Sequence, residues 1–257
     1  MTVITTHHIM TDPEFSTTYT PPFRIHVIGF GKRIEPAIAK ASDLGYDEVA
    51  SYMSDKRPNI IPGEKDIMAI ICVDDNESEA LQLSKTFYDA NVLTLVVTTK
   101  HLQGDSFDSM TEVRLEDVPV VVKSLLDPLF MQGKICFDFN DMSTCLRNSG
   151  CFFIEEAIST KKDDRLEDAI NQFKVPVLDK RFDAAEFAAL IIYHNPDMEP
   201  PLAMREIVSL NEYLSGMPEN IDLFWAIFRD DKMSANEIRI SIMISGKKLD
   251  PCIKNSH

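Results

Sequence analysis

Glycine and cysteine are scarce in this sequence, and it contains no long apolar run. Only 9 of the 257 residues are glycine, which is few for a chain of alternating strands and helices. No run approaches the roughly 18 apolar residues that a membrane-spanning helix needs, so we expect no direct insertion into a membrane. The 5 cysteines are an odd number without a C-x-x-C pair, which argues against a disulfide framework.

Three of the cysteines, Cys136, Cys145 and Cys151, are close enough in sequence for a metal site to be considered. Their spacing fits no structural-zinc pattern, and no histidine lies nearby. His7 and His8 stand in a polar segment, where solvated side chains are the simpler interpretation. We therefore predict buried thiols in a reducing compartment and no metal site.

The charge balance is strongly acidic. The chain has 26 Lys and Arg against 41 Asp and Glu, a formal net charge of −15. Such a surface repels nucleic acids and anionic membranes, so we expect neither as a partner. Hydrophobic residues make up 44% of the chain, enough for a folded core. Residues 1–22 lack the basic and apolar regions of a signal peptide, which favours an extended or disordered tail and a cytoplasmic protein.

Strands alternate with helices in the first half of the chain. The strand candidates are apolar or β-branched runs, as expected where helices cover both faces of a sheet. We predict strands at 23–28, 49–53, 66–73 and 92–98, and helices at 35–44, 78–89 and 115–132. Residues 99–114 show no periodicity and are predicted to form a loop. Pro128 should kink or fray the last helix. This order predicts an α/β fold with a parallel sheet.

The second half predicts a smaller α+β unit. Extended segments are predicted at 134–139, 151–158, 187–193, 222–228 and 237–245, and helices at 141–148, 163–173 and 201–214. The last strand alternates as EIRISIMIS, which predicts one buried face and one face in water.

A glycine-containing turn follows the first predicted strand and precedes a helix. Gly29 and Gly31 stand there, followed by Lys32 and Arg33, which could meet an anion. Ile34 occupies the place of the third glycine of a dinucleotide-binding loop. A strand-to-helix turn with solvated charges is therefore the preferred interpretation.

The segment VDDNESE at 73–79 also lies where open α/β sheets bind ligands. It has no glycine, and its four acids are unsuitable for a phosphate; they are Asp74, Asp75, Glu77 and Glu79. Oxygen ligands of this kind could bind a divalent metal. We prefer a helix N-terminus whose dipole favours acids, with Asp75 or Asn76 as the cap.

Asp138 and Asp141 open a predicted helix after an extended segment. Two carboxylates three residues apart can share one face of a loop and first turn, where they could position a water. From these residues alone, a helix cap at Asn140 or Asp141 is the simpler explanation, and we prefer it.

In order along the chain, these segments resemble the tubulin superfamily, specifically the bacterial cell-division protein FtsZ. The family's first strand and glycine loop are similar to FRIHVIGFGKRIEPAIAKASDLG. The strand before its phosphate signature and the strand after the next helix resemble DIMAIICV and VLTLVVTTK. The loop after its central helix resembles GKICFDFNDMSTCL. The most specific match is NIDLFWAIFRDDKMSANEIRISIMISG, which is similar to the family's closing strands.

The resemblance covers about residues 23–246 and implies a tubulin/FtsZ-like fold: a Rossmann-like parallel sheet with helices on both faces, a central helix, then a smaller C-terminal α+β domain. We expect a shortened Rossmann-like domain at 23–114, the central helix, catalytic-type loop and following helix at 115–148, and the C-terminal domain at 149–249. Tails would lie at 1–22 and 250–257. A faint likeness of Leu249-Asp250-Pro251 to FtsZ's partner-binding peptide is best explained by chance.

The departures from the family concern its nucleotide site. In that family a run of glycines with Thr or Ser cradles the GTP phosphates through backbone N–H groups. Residues 73–80 replace this run with acids, and two unit charges 4 Å apart interact by about 4 kcal/mol at an effective dielectric near 20. The resemblance therefore implies a degenerate site. If a nucleotide binds, the matching positions are Gly29, Gly31, Lys32, Arg33, Asp74, Asp75, Asn76 and Asp117. Either Asp117 or its neighbour Glu116 matches the family's base-holding residue.

The family's catalytic loop matches this sequence more closely than its nucleotide-binding loops do. In FtsZ filaments its acids reach the GTP of the next subunit and help to orient the attacking water, and Asp138 and Asp141 match them. Cys136 stands where the family has Asn, which weakens the match.

Three functions are compatible with these observations. The first is an FtsZ-like protein without enzymatic activity or cofactor, which associates with itself or docks on an FtsZ-type subunit in cell division or cytoskeletal organisation. The second is a GTPase with a rearranged pocket, in which Lys32 and Arg33 hold phosphates and Asp74 or Asp75 binds Mg²⁺. The third, a Rossmann-like enzyme for another small molecule, lacks a nucleophilic set at known spacing. We expect the first.

Overall fold

The computed structural model describes residues 23–56, 59–173, 184–202 and 204–247. The described residues form two compact units: the N-terminal unit, residues 23–126 with 146–152, and the C-terminal unit, residues 127–145 with 153–247. The predicted tails lie outside the described residues, and with them His7, His8, Cys252 and the Leu249-Asp250-Pro251 segment.

The N-terminal unit alternates strands with helices, as predicted. Its elements are β1 (Arg24–Phe30), α1 (Glu35–Ser42), β2 (Val49–Met53), β3 (Asp66–Val73), α2 (Glu77–Asp89), β4 (Leu93–Thr98) and β5 (Ser109–Glu112). Neighbouring strands are parallel in the order β2-β1-β3-β4-β5, and the first residues of a further strand, β7 (Gly150–Ser159), pair with β5.

Helices cover this sheet on both faces. On one face, a Cβ atom added to Gly29 would lie 2.6 Å from Ile38 of α1, so α1 packs directly against β1 there. On the other face, Ile28 and Phe30 of β1 join a buried apolar cluster with Phe87 of α2. Coverage on both sides is why the strands of this unit are continuous apolar runs.

The predicted loop at 99–114 contains a strand, β5, that the sequence did not reveal. Ser109 and Thr111 of β5 are buried, and Met110 is the one large apolar side chain among its four residues. Its sequence gives no periodic signal because three of only four residues are polar and no apolar alternation can be detected. The polar side chains are accommodated inside the sheet; for example, the Ser149 hydroxyl lies 2.9 Å from that of Ser109.

The predicted central helix begins later than the sequence suggested. A 3₁₀ turn spans Leu115–Asp117, and α3 spans Val118–Phe130. Pro128 lies inside α3, which ends two residues later. A proline near the C-terminus of a helix removes one hydrogen bond and limits further extension.

The C-terminal unit is a mixed sheet with short helices. Its elements are β6 (Gly133–Ile135), α4 (Phe139–Leu146), the remainder of β7, α5 (Arg165–Ile170), β8 (Phe187–His194), α6 (Met204–Ser215), β9 (Asp222–Arg229) and β10 (Ile238–Gly246). The strand order is β7-β10-β8-β9-β6, with β8 parallel to β9 and antiparallel to β10. The predicted elements are confirmed with shifted ends; α4 begins at Phe139 rather than Asp141.

The prediction that β10 has one face in water is wrong. All nine of its residues are buried. The Arg239 guanidinium donates to Asp127 of α3 at 2.7 Å and to Glu156 of β7 at 2.9 Å, and it lies 3.8 Å from the centre of the Tyr193 ring. Polar side chains alternate along β10 because partners inside the unit satisfy them, not because water does.

Candidate functional site

The carboxyl ends of β1, β3 and β4 lie side by side at one edge of the N-terminal sheet. Chain order reverses between β1 and β3, because the chain moves outward to β2 before it returns to β3. Ligands of open α/β sheets bind in the crevice outside the strand ends at such a point. Two of the loops predicted as candidate sites, after β1 and after β3, lie at this edge.

Gly29 belongs to β1 and not to the turn. Its missing side chain makes room for Ile38, Met53 and Ile34, all within 3.0 Å of an added Cβ, so its role is packing. The turn begins at Gly31, whose φ of 96° favours glycine. Lys32 and Arg33 follow on a 3₁₀ turn, and both side chains are exposed.

Asp74, the first residue after β3, has a buried carboxylate with three donors. Arg33 donates its Nε–H to Oδ2 at 2.8 Å and an Nη2–H to Oδ1 at 2.5 Å, and the Thr99 hydroxyl donates to Oδ1 at 2.7 Å. Burial alone would raise the pKa of Asp74, but the hydrogen bonds from Arg33 and Thr99 outweigh it and hold the pKa below 3.8. The same contact raises the pKa of the Arg33 guanidinium.

The backbones of the two loops are in direct contact. The N–H groups of Asp74 and Asp75 donate to the carbonyl oxygen of Phe30 at 3.0 and 3.3 Å. A Cβ atom added to Gly31 would lie 2.9 Å from the backbone nitrogen of Asp75. The first two amides after β3 are therefore used within the protein, and the space beside Gly31 is filled by the chain itself.

The start of α2 confirms one of the two predicted cap positions, but without a capping bond from the side chain. Asn76 occupies the N-cap position with a left-handed φ of 59°, and neither its side chain nor that of Asp75 caps the helix N–H groups. The Asp75 carboxylate accepts the N–H of Asn76 at 2.9 Å. Glu77 and Glu79 lie in the exposed first turn, where the helix dipole favours acids.

Asp117, the position matched to a base-holding residue, lies on the 3₁₀ turn before α3. Its carboxylate accepts two hydrogen bonds from Arg114, at 2.8 and 3.2 Å. Arg114 also approaches Glu116 at 3.3 Å. The local sequence RLED thus forms its own exposed ion-pair cluster.

Asp138 and Asp141 meet at the start of α4 in the C-terminal unit. The Asp138 carboxylate accepts the N–H groups of Asn140 at 2.7 Å and Asp141 at 3.1 Å, while the Asp141 carboxylate accepts the N–H of Asp138 at 3.1 Å. This reciprocal arrangement is a capping box with Asp138, rather than Asn140 or Asp141, as the cap. Both carboxylates are partly or fully accessible at the protein surface.

The cysteine prediction holds only in part. Cys72 and Cys145 are buried and Cys151 is half-buried, but Cys136 is exposed. Burial raises the pKa of the Cys72 thiol to about 12. Although Cys136 is exposed, the protein around its thiol removes part of the surrounding water and raises its pKa, and the charges of Asp138 and Asp141 act in the same direction. Among the described residues, no three His, Cys, Asp or Glu side chains are grouped so that they could hold a metal ion.

Thr99 is the site residue that the sequence analysis missed, because it falls in the segment predicted as a loop. It directly follows β4, which is the parallel neighbour of β3, and its N–H donates to the Val73 carbonyl at 2.9 Å. Adjacent parallel strands end at the same edge, so a polar residue immediately after β4 is expected near Asp74. That positional rule could have identified it.

No helix in the described ranges is long and apolar enough to cross a membrane. No family model matches the sequence. No curated protein matches it either.

Solved structures of similar fold do exist. An FtsZ dimer from M. jannaschii aligns with a TM-score of 0.69 at 15% identity, covering 88% of this chain and 89% of that one. TubZ of Bacillus thuringiensis serovar israelensis aligns in GDP-form protofilaments with a TM-score of 0.61 and in a GTPγS-form protofilament with 0.58. Each TubZ match is 12% identical and covers 88% of this chain, with 86% of the GDP-form chain and 87% of the GTPγS-form chain covered. The predicted tubulin/FtsZ-like fold is confirmed.

Proposed function

We propose that this chain is an FtsZ-like protein that does not bind GTP and that acts by association, with itself or with an FtsZ-type subunit, in cytoskeletal organisation such as cell division. One observation carries the proposal. At the sheet edge where a nucleotide of this fold would place its phosphates, Arg33 is bound to Asp74 and the amides of Asp74 and Asp75 are bound to Phe30.

The residues at this edge do not fit a triphosphate. An anion needs free backbone N–H groups or free cations, and the Arg33 guanidinium and the amides of Asp74 and Asp75 already have protein partners. Asp75, Glu77 and Glu79 are exposed beside them, so an approaching phosphate would meet further negative charge. In the rearranged GTPase pocket, Arg33 would have to leave Asp74. The buried Asp74 carboxylate would then lack its cationic partner, which is energetically costly.

Association is supported by the similar structures and by the Asp138 loop. The similar FtsZ structure is a dimer, and the TubZ structures are protofilaments. In this chain the exposed loop at 136–141 is held by its own capping box, so it can form part of a rigid interface without a nucleotide. We place the protein in the cytoplasm, where free thiols such as Cys136 stay reduced.

Thermal unfolding with and without GTP and Mg²⁺ tests the loss of nucleotide binding. A ligand present at 100 times its Kd adds about 2.7 kcal/mol to the stability of the folded state, which is readily visible as a rise in Tm. We expect no rise for this chain. A rise of several degrees that disappears in Lys32→Ala and Arg33→Ala would overturn the proposal and favour the GTPase.

Sedimentation velocity tests association. We expect a concentration-dependent oligomer, or co-sedimentation with filaments of an FtsZ that binds GTP, and an effect of charge reversal at Asp141 on either. Glu167→Lys on α5 is the matched control, because it reverses an exposed acid elsewhere in the same unit. A chain that stays monomeric and does not join such filaments would contradict the association.

A further inference from the structure

A groove lies beside α2 in the N-terminal unit, apart from the Arg33–Asp74 contact. Its volume is about 680 Å³, within the range of binding clefts. The floor is apolar and consists of Phe30, Ile60 and Leu83, of which Ile60 and Leu83 pack against the buried cluster under α2. Ile61, which also lines the groove, is 86% exposed. Asp55 and Glu79 add negative charge to the walls.

The topology explains why a groove forms here. The connection from β2 to β3 must pass over β1, because both strands pair with β1 in parallel. Parallel crossovers commonly place a helix on the sheet. The described residues of this connection, 54–56 and 59–65, contain one 3₁₀ turn, Ser54–Lys56, and no α-helix. Among the described residues of the connection, none supplies an α-helix to cover the sheet surface beside α2.

One side of α2 faces this space along two helical turns. Glu79, Gln82, Leu83 and Thr86 line the groove and have the i, i+3, i+4, i+7 spacing of a single helix face. The buried side of α2 is a different stripe, formed by Ala80, Ser84 and Phe87. A regular helical ridge with an apolar residue at its centre is the surface against which a second helix packs.

We propose that this groove binds an amphipathic α-helix of a partner protein, with the apolar stripe of that helix on Ile60, Ile61 and Leu83 and its basic residues toward Asp55 and Glu79. The helix takes the place that a crossover helix would fill. Helix-in-groove recognition places apolar anchors at i, i+3, i+4 and i+7 of the docking helix, and those anchors would here contact the apolar floor that includes Leu83 of α2. The proposal does not depend on the nucleotide site or on the Asp138 loop.

Fluorescence anisotropy with the full-length chain tests the proposal. The probe is a fluorescein-labelled 15-residue peptide with Leu at i, i+3, i+4 and i+7 and Lys and Ala elsewhere. A second peptide of identical composition, reordered so that no apolar stripe forms, is its control. At about 150 mM salt, which screens long-range attraction to an acidic protein, we expect saturable binding of the first peptide only.

Two groove variants and two matched controls locate the binding. Ile61→Asp and Glu79→Lys should each weaken binding about tenfold or more. Val208→Asp changes an exposed apolar residue of the other unit, and Glu77→Lys reverses an exposed acid on the same helix turn outside the groove lining; both should leave the affinity within about twofold. Ile61 is so exposed that its replacement should not unfold the chain.

Three results would overturn the proposal. The first is equal binding of the two peptides. The second is an equal effect of Glu77→Lys and Glu79→Lys, which would indicate general attraction to an acidic surface. The third is loss of self-association in Ile61→Asp, by sedimentation velocity, with unchanged peptide affinity, which would make a second copy of this chain the occupant.

Discussion

The guanidinium of Arg33 and the carboxylate of Asp74 join two strand ends that are 41 residues apart in sequence. Arg33 forms two hydrogen bonds to a side chain that is only 4% exposed, although most of the arginine itself lies in solvent. Bidentate arginine–carboxylate pairs combine charge with a fixed geometry, so this contact holds the turn after β1 against the start of the loop after β3. The GTPase alternative assigns Arg33 to a phosphate and Asp74 to Mg²⁺, so it requires this contact to break.

Asp74→Asn should destabilise the protein. It removes the charge that accepts hydrogen bonds from Arg33 and Thr99, and hydrogen bonds to a charged group contribute about 1.5–3 kcal/mol. We expect the free energy of unfolding to fall by about 1–2 kcal/mol in urea, measured by circular dichroism. The control is Asp75→Asn, an exposed neighbour, which should change it by less than about 0.5 kcal/mol.

The difference in the free energy of unfolding between the wild-type chain and Asp74→Asn should also depend on pH. The folded-state pKa of Asp74 is depressed below 3.8. A carboxylate of this kind stabilises the fold above its unfolded pKa, and the contribution is lost as the pH falls through the folded pKa. The gap between the wild-type chain and Asp74→Asn should therefore be constant from about pH 7 to 5 and shrink below about pH 4. An unchanged gap at pH 3 would show that the charge is not responsible.

His194 should make the protein less stable at mildly acidic pH. Burial lowers its pKa from 6.5, and the positive charges of Lys134 and Arg229 lower it further. The unfolded chain then binds a proton that the folded chain does not, so stability is lost as the pH falls below about 6.5, by at most about 1.4 kcal/mol per pH unit. His194→Gln should flatten the urea-midpoint profile between about pH 7.5 and 5.5. An equally steep profile in the variant would assign the effect to another group.

Arg239→Met should be the most damaging of these substitutions. Arg239 is 5% exposed and donates to Asp127 and Glu156, so its removal leaves buried carboxylates without their cation. Breaking a buried pair in this way costs about 3–5 kcal/mol. Trp225 of β9, the only tryptophan of the chain, reports unfolding of the same unit by fluorescence.

The matched control for Arg239 is Arg205→Met. Arg205 pairs with Asp163 at 3.0 Å, and both side chains are more than half exposed. Exposed pairs of this kind contribute little because water screens them, so the urea midpoint should barely move. Equal losses in the two variants would contradict a buried ion-pair role for Arg239.

Asp138→Ala should weaken α4. It removes the acceptor for the N–H groups of Asn140 and Asp141, and loss of an N-cap costs about 1 kcal/mol. We expect faster amide hydrogen exchange in the first turn of α4, with most of the protection kept in Asp138→Asn, which retains an acceptor oxygen. If Asn is as harmful as Ala, the negative charge rather than the cap is the important property.

Much of the fold could be predicted from the sequence, because apolar runs and helical spacing are properties of short, local segments. Covered strands such as β3 are continuous apolar runs, and α2 has the spacing of a half-buried helix. The short strand β5 and the buried polar side of β10 could not be found in this way. Their polar residues are stable inside the protein only because partners from other elements satisfy them, and those partners are distant in sequence.

The sequence by itself determined the order of strands and helices of the tubulin/FtsZ-like fold and the run of acids that follows β3. Only the tertiary structure decided what those residues do. It brought Arg33 and Thr99 onto Asp74, and it placed the carbonyl of Phe30 on the amides of Asp74 and Asp75. The physical reason is that neighbouring parallel strands end at a common edge of the sheet. Residues far apart in sequence can therefore pair their charges and satisfy one another's hydrogen bonds there.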